Sequence, residues 1–294
     1  MQTIKLNEDD IFKITDLFKF LNKLPNHGFK DFSKDEKSFK NDILYLLKNK
    51  KNRIFLEYKN NQIKNYILIK NEDLINRSII MTYDHRKIKD NIKNIKKFSK
   101  SNSIEIAIRE SEKNQIKDFS LFKKNHTYEF MKMESKKFSK ITNHNISINL
   151  EELIYENHYE KLVKIQNDCF VDHYGYEHNS LSDFKSEIIN LEKNQIKSFF
   201  EISKNLDNEW TGYTWTQHNL KNSEGRLSMC GVIKEFRNKG LAKDLIISSI
   251  IKLIRKKCDQ IYLEVDSDNI PAKKIYKDIG FEIYNKLTWH KINY

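Results

Sequence analysis

Apolar residues along this chain recur in two rhythms, and the two halves present them in the same order. Spacing of three and four residues predicts helices over 11–21 and 39–47, then over 89–98 and 115–124. Alternating or β-branched runs bounded by Asn-rich turns predict strands over 53–58, 63–69, 78–83, 104–108 and 128–133. After residue 150 the order repeats. Helices are predicted over 159–169 and 181–191, followed by strands over 198–202, 210–217 and 226–232. A helix over 241–256, a strand over 261–265, a helix over 271–279 and a strand over 287–292 close the chain.

This order predicts an α/β fold, a mixed and mostly antiparallel sheet flanked by helices, made twice in tandem. One domain is expected over 1–140 and the second over 146–294, with the polar stretch 139–146 as the seam. The repeat is clearest where the strand 104–108, followed by Leu121-Phe122-Lys123-Lys124, stands opposite the strand 261–265, followed by Ile275-Tyr276-Lys277-Asp278. Glycine separates the halves. Gly28 stands alone before residue 150, while Gly175, Gly212, Gly225, Gly231, Gly240 and Gly280 follow it. Positions with special backbone demands therefore concentrate in the C-terminal half.

Composition refines this picture. With 7 Gly and 2 Pro in 294 residues, the turns must rest on Asn, Asp and Ser. The net charge of +12 leaves two readings open. One is a polyanionic partner such as RNA or the ribosome; the other is a lysine-rich solvated surface, which the dispersal of the lysines favours. Cys169, Cys230 and Cys258 are too widely spaced for a disulfide framework or a metal site, and they suit a reducing compartment. The N-terminus lacks signal-peptide character, and the most apolar stretch, 245–254, is too short and too polar to span a bilayer. A soluble, cytoplasmic protein that binds neither membrane nor metal is expected.

The segment from Leu227 to Leu245 is the most informative. A strand ends near Val232, a short loop follows, and an amphipathic helix starts at Leu241. The first amides of a helix lack intrahelical partners and, with the helix dipole, form an anion site. Gly240 keeps side-chain atoms out of the way, while Arg237, Lys239 and Lys243 add positive charge.

Arg237-x-x-Gly240-x-Ala242, with Val232 five residues before the arginine, resembles the acetyl-CoA-binding signature of the GNAT superfamily. A second stretch, Leu263-x-Val265 and then Asn269-x-x-Ala272-x-x-x-Tyr276-x-x-x-Gly280-Phe281, is similar to the family's later strand and helix. The close resemblance covers roughly 226–285. Lys234 departs from it, standing where many members carry proline, a position that shapes the loop only.

The resemblance implies acetyl-CoA as cofactor and N-acetyl transfer as the activity. Pantetheine would lie along Cys230 and Val232, where their strand diverges from the next. The pyrophosphate would sit on the amides of Arg237, Asn238, Lys239, Gly240, Leu241 and Ala242. Asn269 would steady the pantetheine arm, and Tyr276 would act as general acid. Each of the last two has a plainer alternative: Tyr276 as a packed core aromatic, and Asn269 as a cap on the helix that contains Pro271. The candidate bases are Glu224, His218, Glu264, Asp172 and His173. Residues 170–176 either contact the acceptor or form an ordinary loop.

The N-terminal half resembles a GNAT domain without its working parts, the tandem arrangement seen in mycothiol synthase. Its loop Asp84-His85-Arg86-Lys87 lacks glycine, and Phe122 stands near the place of Tyr276. A small-molecule or peptide amine is the expected acceptor. The chain would act as a monomer with pseudo-dimeric halves or as a homodimer. The alternatives are an RNA- or ribosome-associated acetyltransferase and a non-catalytic acyl-CoA sensor.

Overall fold

The computed structural model describes residues 2–24, 32–88, 91, 99, 101–111, 121–138, 149–153 and 158–292. The elements run β1 (Gln2–Lys5), α1 (Ile11–Leu21), α2 (Glu36–Lys48), β2 (Asn52–Lys59), β3 (Gln62–Glu72), β4 (Arg77–Tyr83), β5 (Ser103–Arg109) and β6 (Phe122–Glu134). Then come α3 (Ser135–Phe138), β7 (Asn149–Leu153), α4 (Tyr159–Phe170), α5 (Leu181–Lys193), β8 (Ile196–Lys204), β9 (Trp210–Asn219) and β10 (Glu224–Val232). The last are α6 (Leu241–Arg255), β11 (Gln260–Asp266), α7 (Ile270–Ile279) and β12 (Glu282–Ile292). Among the described residues no helix is long and apolar enough to cross a membrane.

Two compact units result, Met1–Thr127 with Asn285–Tyr294, and Tyr128–Tyr284. The first orders its strands β1-β2-β3-β4-β5-β12, and the second β7-β8-β9-β10-β11-β6. In the first, β4 and β5 pair in parallel; in the second, β10 and β11 do. The strand pairs β1–β2, β2–β3, β3–β4 and β5–β12 in one unit are antiparallel. So are β7–β8, β8–β9, β9–β10 and β6–β11 in the other. The mixed, mostly antiparallel α/β plan and its repetition are as the hydrophobic pattern predicts.

The units do not follow the expected division into 1–140 and 146–294. Each takes its sixth strand from the other half of the sequence: Leu287–Lys291 of β12 pair with β5, and Tyr128–Glu134 of β6 pair with β11. The expected seam and the helix over 89–98 lie outside the described residues. The helix expected over 115–124 needs correction at its end. Phe122 and Lys124 belong to β6, and Phe122 packs with the apolar cluster of Ile104, Ile106 and Ile108, its ring 6.2 Å from that of His290. Phe122 is therefore no counterpart of Tyr276, which lies on a helix.

Turn chemistry follows composition. Asn60, Asn61, Asn76, Asn208 and Asn238 all adopt positive φ, the left-handed conformation that glycine would otherwise supply. In the second unit α4 and α5 cover one sheet face, packing on Phe200, Tyr213 and Trp215. Opposite them, α6 and α7 pack on Leu227, Ile261 and Leu263. Strand β9 is buried on both faces. Tyr213 and Trp215 point to α4 and α5, while the Thr214 hydroxyl reaches that of Ser249 on α6 at 2.6 Å.

Candidate functional site

The site begins where β10 parts from β11. The two strands pair in parallel from Glu224–Gln260 to Leu227–Leu263 and no further. At the same point β10 slips against β9: Leu227 stands opposite Thr216, but Met229 stands opposite Trp215. The extra residue is Ser228. A bulge of this kind re-aims the side chains that follow it. Leu227 and Cys230 join the cluster under α6 and α7, whereas Met229 joins the one under α4 and α5. Beyond the bulge, the β11-facing edge of β10 has unspent backbone hydrogen-bonding groups.

The loop after β10 brings those groups to a helix start. Gly240 caps α6 with φ +82°, and a Cβ placed there would meet nothing within 4 Å. Asn238 is left-handed as well, at φ +61°. The amides of Leu241 and Ala242 open α6, and among the described residues none accepts from them. The loop is held from behind by Arg237, whose Nε donates to the Val232 carbonyl and Nη2 to the Cys169 carbonyl, both at 3.0 Å. The guanidinium is thus a brace between β10 and the end of α4. Lys239 extends its ammonium over the Phe236 ring, 5.1 Å from the centroid.

Helix α7 carries its start and stop signals in sequence. The Asn269 Oδ1 accepts from the Ala272 amide at 3.2 Å, Pro271 occupies the first turn, and Gly280 ends the helix at φ +103°. The capping role of Asn269 is therefore present in the fold. Its Nδ2 remains for another partner.

A cavity of about 350 Å³ runs along this arrangement, lined by Cys230, Gly231, Val232, Arg237, Asn238, Gly240, Leu241, Ala242, Asn269 and Tyr276, among others. Of the residues singled out from sequence for the cofactor, Lys239 alone is not part of its wall. A second cavity of about 330 Å³ opens where β10 and β11 splay, lined by Leu227–Cys230, Glu264–Asp266 and the loop after α4. The two share Phe170, His173, Cys230, Asn269, Ala272 and Tyr276.

Tyr276 stands at that junction, 7% exposed, with its ring edge-on to Phe281 at 5.9 Å. No described residue hydrogen-bonds its hydroxyl. Burial, with Cys230 second, pushes the phenol pKa far above its ordinary 10, so the group stays protonated. Burial likewise pushes the Cys230 thiol up to about 12, with the neighbouring Cys169 adding to the effect. Both are free cysteines. A neutral thiol is a poor nucleophile, and nothing here activates Cys230 for covalent catalysis.

Among the candidate bases, His173 lines both cavities and Glu264 the second. Glu224, His218 and Asp172 line neither. The His173 ring lies 4.7 Å from that of Phe170. Burial lowers its pKa below 6.5, Asp266 opposes the shift and Arg237 reinforces it. Phe170, His173, Tyr174, Gly175 and Tyr176 all reach the second cavity, so most of the loop over 170–176 is cavity wall. Sequence reasoning missed Asp266 and Tyr128, both in that wall. Tyr128 donates to the Tyr174 carbonyl at 3.3 Å, and it arrives on β6, a strand from the other half of the sequence.

One close approach shapes the whole site. A Cβ on Gly231 would lie 2.7 Å from the Cys169 Cβ and 3.0 Å from the Tyr213 Cε1. Gly231→Ala must push α4 away from β10. The expected cost is about 1–3 kcal/mol, a fall of roughly 2–12 °C in melting temperature. Thermal unfolding followed by circular dichroism measures it; an unchanged melting point would mean that α4 yields freely.

Comparison with known proteins agrees with this geometry. Residues 213–290 match the profile of the FR47-like protein family. The mycothiol acetyltransferase of Corynebacterium aurimucosum is 28% identical over 83 residues, which are 27% of this chain and 27% of that protein. The N-alpha-acetyltransferase 30 of Saccharomyces cerevisiae is 34% identical over 69 residues, 24% of this chain and 39% of that one. The chain thus spans between about a quarter and a little under half of the curated relatives it matches. Similarity to solved structures runs the full length. A tandem GNAT protein from the clavulanic acid biosynthesis pathway superposes with a TM-score of 0.73 at 9% identity, covering 99% of this chain and 97% of that one. A GNAT-family acetyltransferase from Colwellia psychrerythraea gives 0.59 at 10% identity, with both chains covered completely, at 100%. The likeness to these structures is one of fold. With the two-signature segment on matching elements and the same strand plan built twice, this chain has the tandem GNAT fold, and within it residues 213–290 resemble the FR47-like family.

Proposed function

We propose that this protein transfers an acetyl group from acetyl-CoA to a primary amine of a small molecule or peptide, and that the second unit is its working site. The observation that carries this reading is the place of Tyr276, a buried tyrosine where two cavities meet and whose hydroxyl has no hydrogen-bond partner among the described residues. One of those cavities ends at the start of α6, on the amides of Leu241 and Ala242, which no described residue uses. The open space above Gly240 and the unspent edge of β10 fit a pyrophosphate and a pantetheine arm.

Acetyl-CoA, when bound, supplies the acyl group already activated as a thioester. Asn238 to Ala242 would hold its phosphates on backbone amides and the helix dipole. Backbone groups of Cys230 and Val232 would hold the pantetheine arm, with the Asn269 Nδ2 beside them. Tyr276 keeps its proton on Oη across the physiological range and would deliver it as general acid. His173, neutral at pH 7, would take the proton of the acceptor amine at a ring nitrogen, directly or through one water. The protonated Cys230 thiol argues for direct attack by the amine rather than an acyl-cysteine.

The first unit is proposed not to bind the cofactor productively. After β4 the carboxylate of Asp84 accepts from the Arg86 amide at 3.0 Å and pairs with the Arg86 guanidinium at 2.6 Å. A carboxylate stands where an anion would need free amides.

The test is a panel of primary amines incubated with acetyl-CoA, with the free thiol of coenzyme A as readout. Release is expected to depend on the amine. Its rate should rise with pH along an acid limb centred below the pKa of a free imidazole, since only neutral His173 accepts a proton and burial lowers its pKa. His173→Gln should abolish that acid limb. Absence of both thiol release and acetyl-CoA-induced thermal stabilisation would overturn the reading.

A further inference from the structure

The two cavities that meet at Tyr276 differ in charge. The wall of the first holds Arg237 and Lys243 and, among the described residues, no carboxylate. The wall of the second holds Glu264 and Asp266 and, among the described residues, no lysine or arginine. His173 lines both. Burial lowers its pKa; beyond that, Asp266 raises it and Arg237 lowers it, so the ring stands within reach of both fields. In the proposed function the first cavity takes an anionic cofactor, which its cations suit. The second has the opposite preference.

Strand alternation fixes which way the carboxylates point. Ile261, Leu263 and Val265 of β11 join the core under α6 and α7. Glu264 and Asp266 therefore project from the other face, toward α4 and the loop that follows it. On that face β6 sets Tyr128 opposite Asp266, and the Tyr128 hydroxyl donates to the Tyr174 carbonyl in the same loop. Arg226, outside the wall of the second cavity, pairs with Glu264, so Asp266 is the carboxylate on which the preference turns. Tyr128, Phe170, Tyr174 and Tyr176 add aromatic wall. Tyr276, 7% exposed and with no hydrogen-bond partner for its hydroxyl among the described residues, lines the same space. Carboxylate and aromatic rings together suit an organic cation, the one by its charge and the others by the negative faces of their rings.

We propose that the second cavity selects an acceptor that carries a second positive charge a few bonds from its reacting amine, with Asp266 as the residue that recognises that charge. A diamine is the simplest such molecule. An acceptor with a carboxylate in the same place meets Asp266 and is rejected. This assignment rests on the acyl-transfer reading for the role of the cavity. The preference for a cation does not depend on turnover.

Putrescine, butylamine and γ-aminobutyric acid share chain length and reacting end, and differ in a positive, absent or negative far end. Their kcat/KM for acetylation, expressed per unprotonated amine so that basicity does not enter, is expected to fall about tenfold at each step. Calorimetric titration of the same three compounds into the intact protein, saturated with coenzyme A, is expected to give the same order. Asp266→Asn should bring putrescine and butylamine within about threefold of each other. Its Oδ1 can still accept from the Asp268 amide, as that of Asp266 does at 2.8 Å, so the turn and the melting temperature should be kept. Ordered binding without thiol release supports the assignment and sinks the acyl-transfer reading. Thiol release with equal kcat/KM for putrescine and butylamine, or with γ-aminobutyric acid preferred, overturns the assignment and leaves transfer standing. A preference for putrescine that survives Asp266→Asn overturns the role of Asp266. Absence of both binding and release overturns both claims.

Discussion

Gly240→Glu is expected to weaken coenzyme A binding by at least about a hundredfold, while Gly240→Ala weakens it by no more than about tenfold. The two substitutions share the backbone problem and differ in charge. Gly240 sits at φ +82°, where an L-residue costs roughly 1–2 kcal/mol. Space is not the difficulty, since an added Cβ meets no atom within 4 Å. That opening is where the phosphates are placed by the proposed reading, at amides that no described residue uses. A carboxylate there faces at least one phosphate charge at close range, worth about 3–4 kcal/mol at an effective dielectric near 20. Gly240→Gln, of equal size and neutral, separates charge from bulk. Isothermal titration with coenzyme A reads all three variants. Should Gly240→Glu bind within threefold of Gly240→Ala, the phosphates lie elsewhere.

The second large effect is kinetic. Tyr276→Phe is expected to lower kcat by about 10²–10⁴-fold, the range for losing a positioned general acid. Acetyl-CoA affinity and melting temperature should hardly move. The reason is local: no described residue bonds the Tyr276 hydroxyl, so its removal orphans no protein group, and the ring keeps its contact with Phe281. A core tyrosine without a chemical role would leave kcat alone, so the kcat and KM split decides between the two readings. A kcat within threefold of the parent would return Tyr276 to the core.

Much of the second unit was legible because its signals are local. The helix start at Gly240 and Leu241, and the Asn269, Pro271 and Gly280 punctuation of α7, are set by backbone sterics and capping within a few residues. Strand β9 was readable from its aromatic and threonine residues, both favoured in strands. Phe122 was misread for the opposite reason. A short apolar pair among lysines fits either rhythm, and only the neighbours decide. In the fold those neighbours are Ile104, Ile106 and His290, the last of them far along the chain.

The candidate site divides along the same line. Arg237 reads as a positive charge beside the phosphates, yet the fold spends its guanidinium on the carbonyls of Val232 and Cys169. Its reach to Cys169, 68 positions away, has no trace in the local pattern. Asn269 was legible as both cap and site residue because a cap is a local event; the cavity it lines is one that only packing creates.

By itself, then, the amino-acid sequence determined the order of elements, the repetition of that order, and the loop and helix start between Arg237 and Ala242. These depend on periodicity, glycine and capping, whose energies act over one or two turns of chain. Only the tertiary structure decided the rest. The exchange of β6 and β12 sets which residues share a unit and brings Tyr128 to the second cavity. The bulge at Ser228 turns Met229 toward one face of the sheet and Cys230 toward the other. Gln166, Trp215 and Ser228 come to one cavity wall from a helix and two strands. Strand pairing and cavity formation are long-range events, rewarded only after the chain has closed loops tens of residues long.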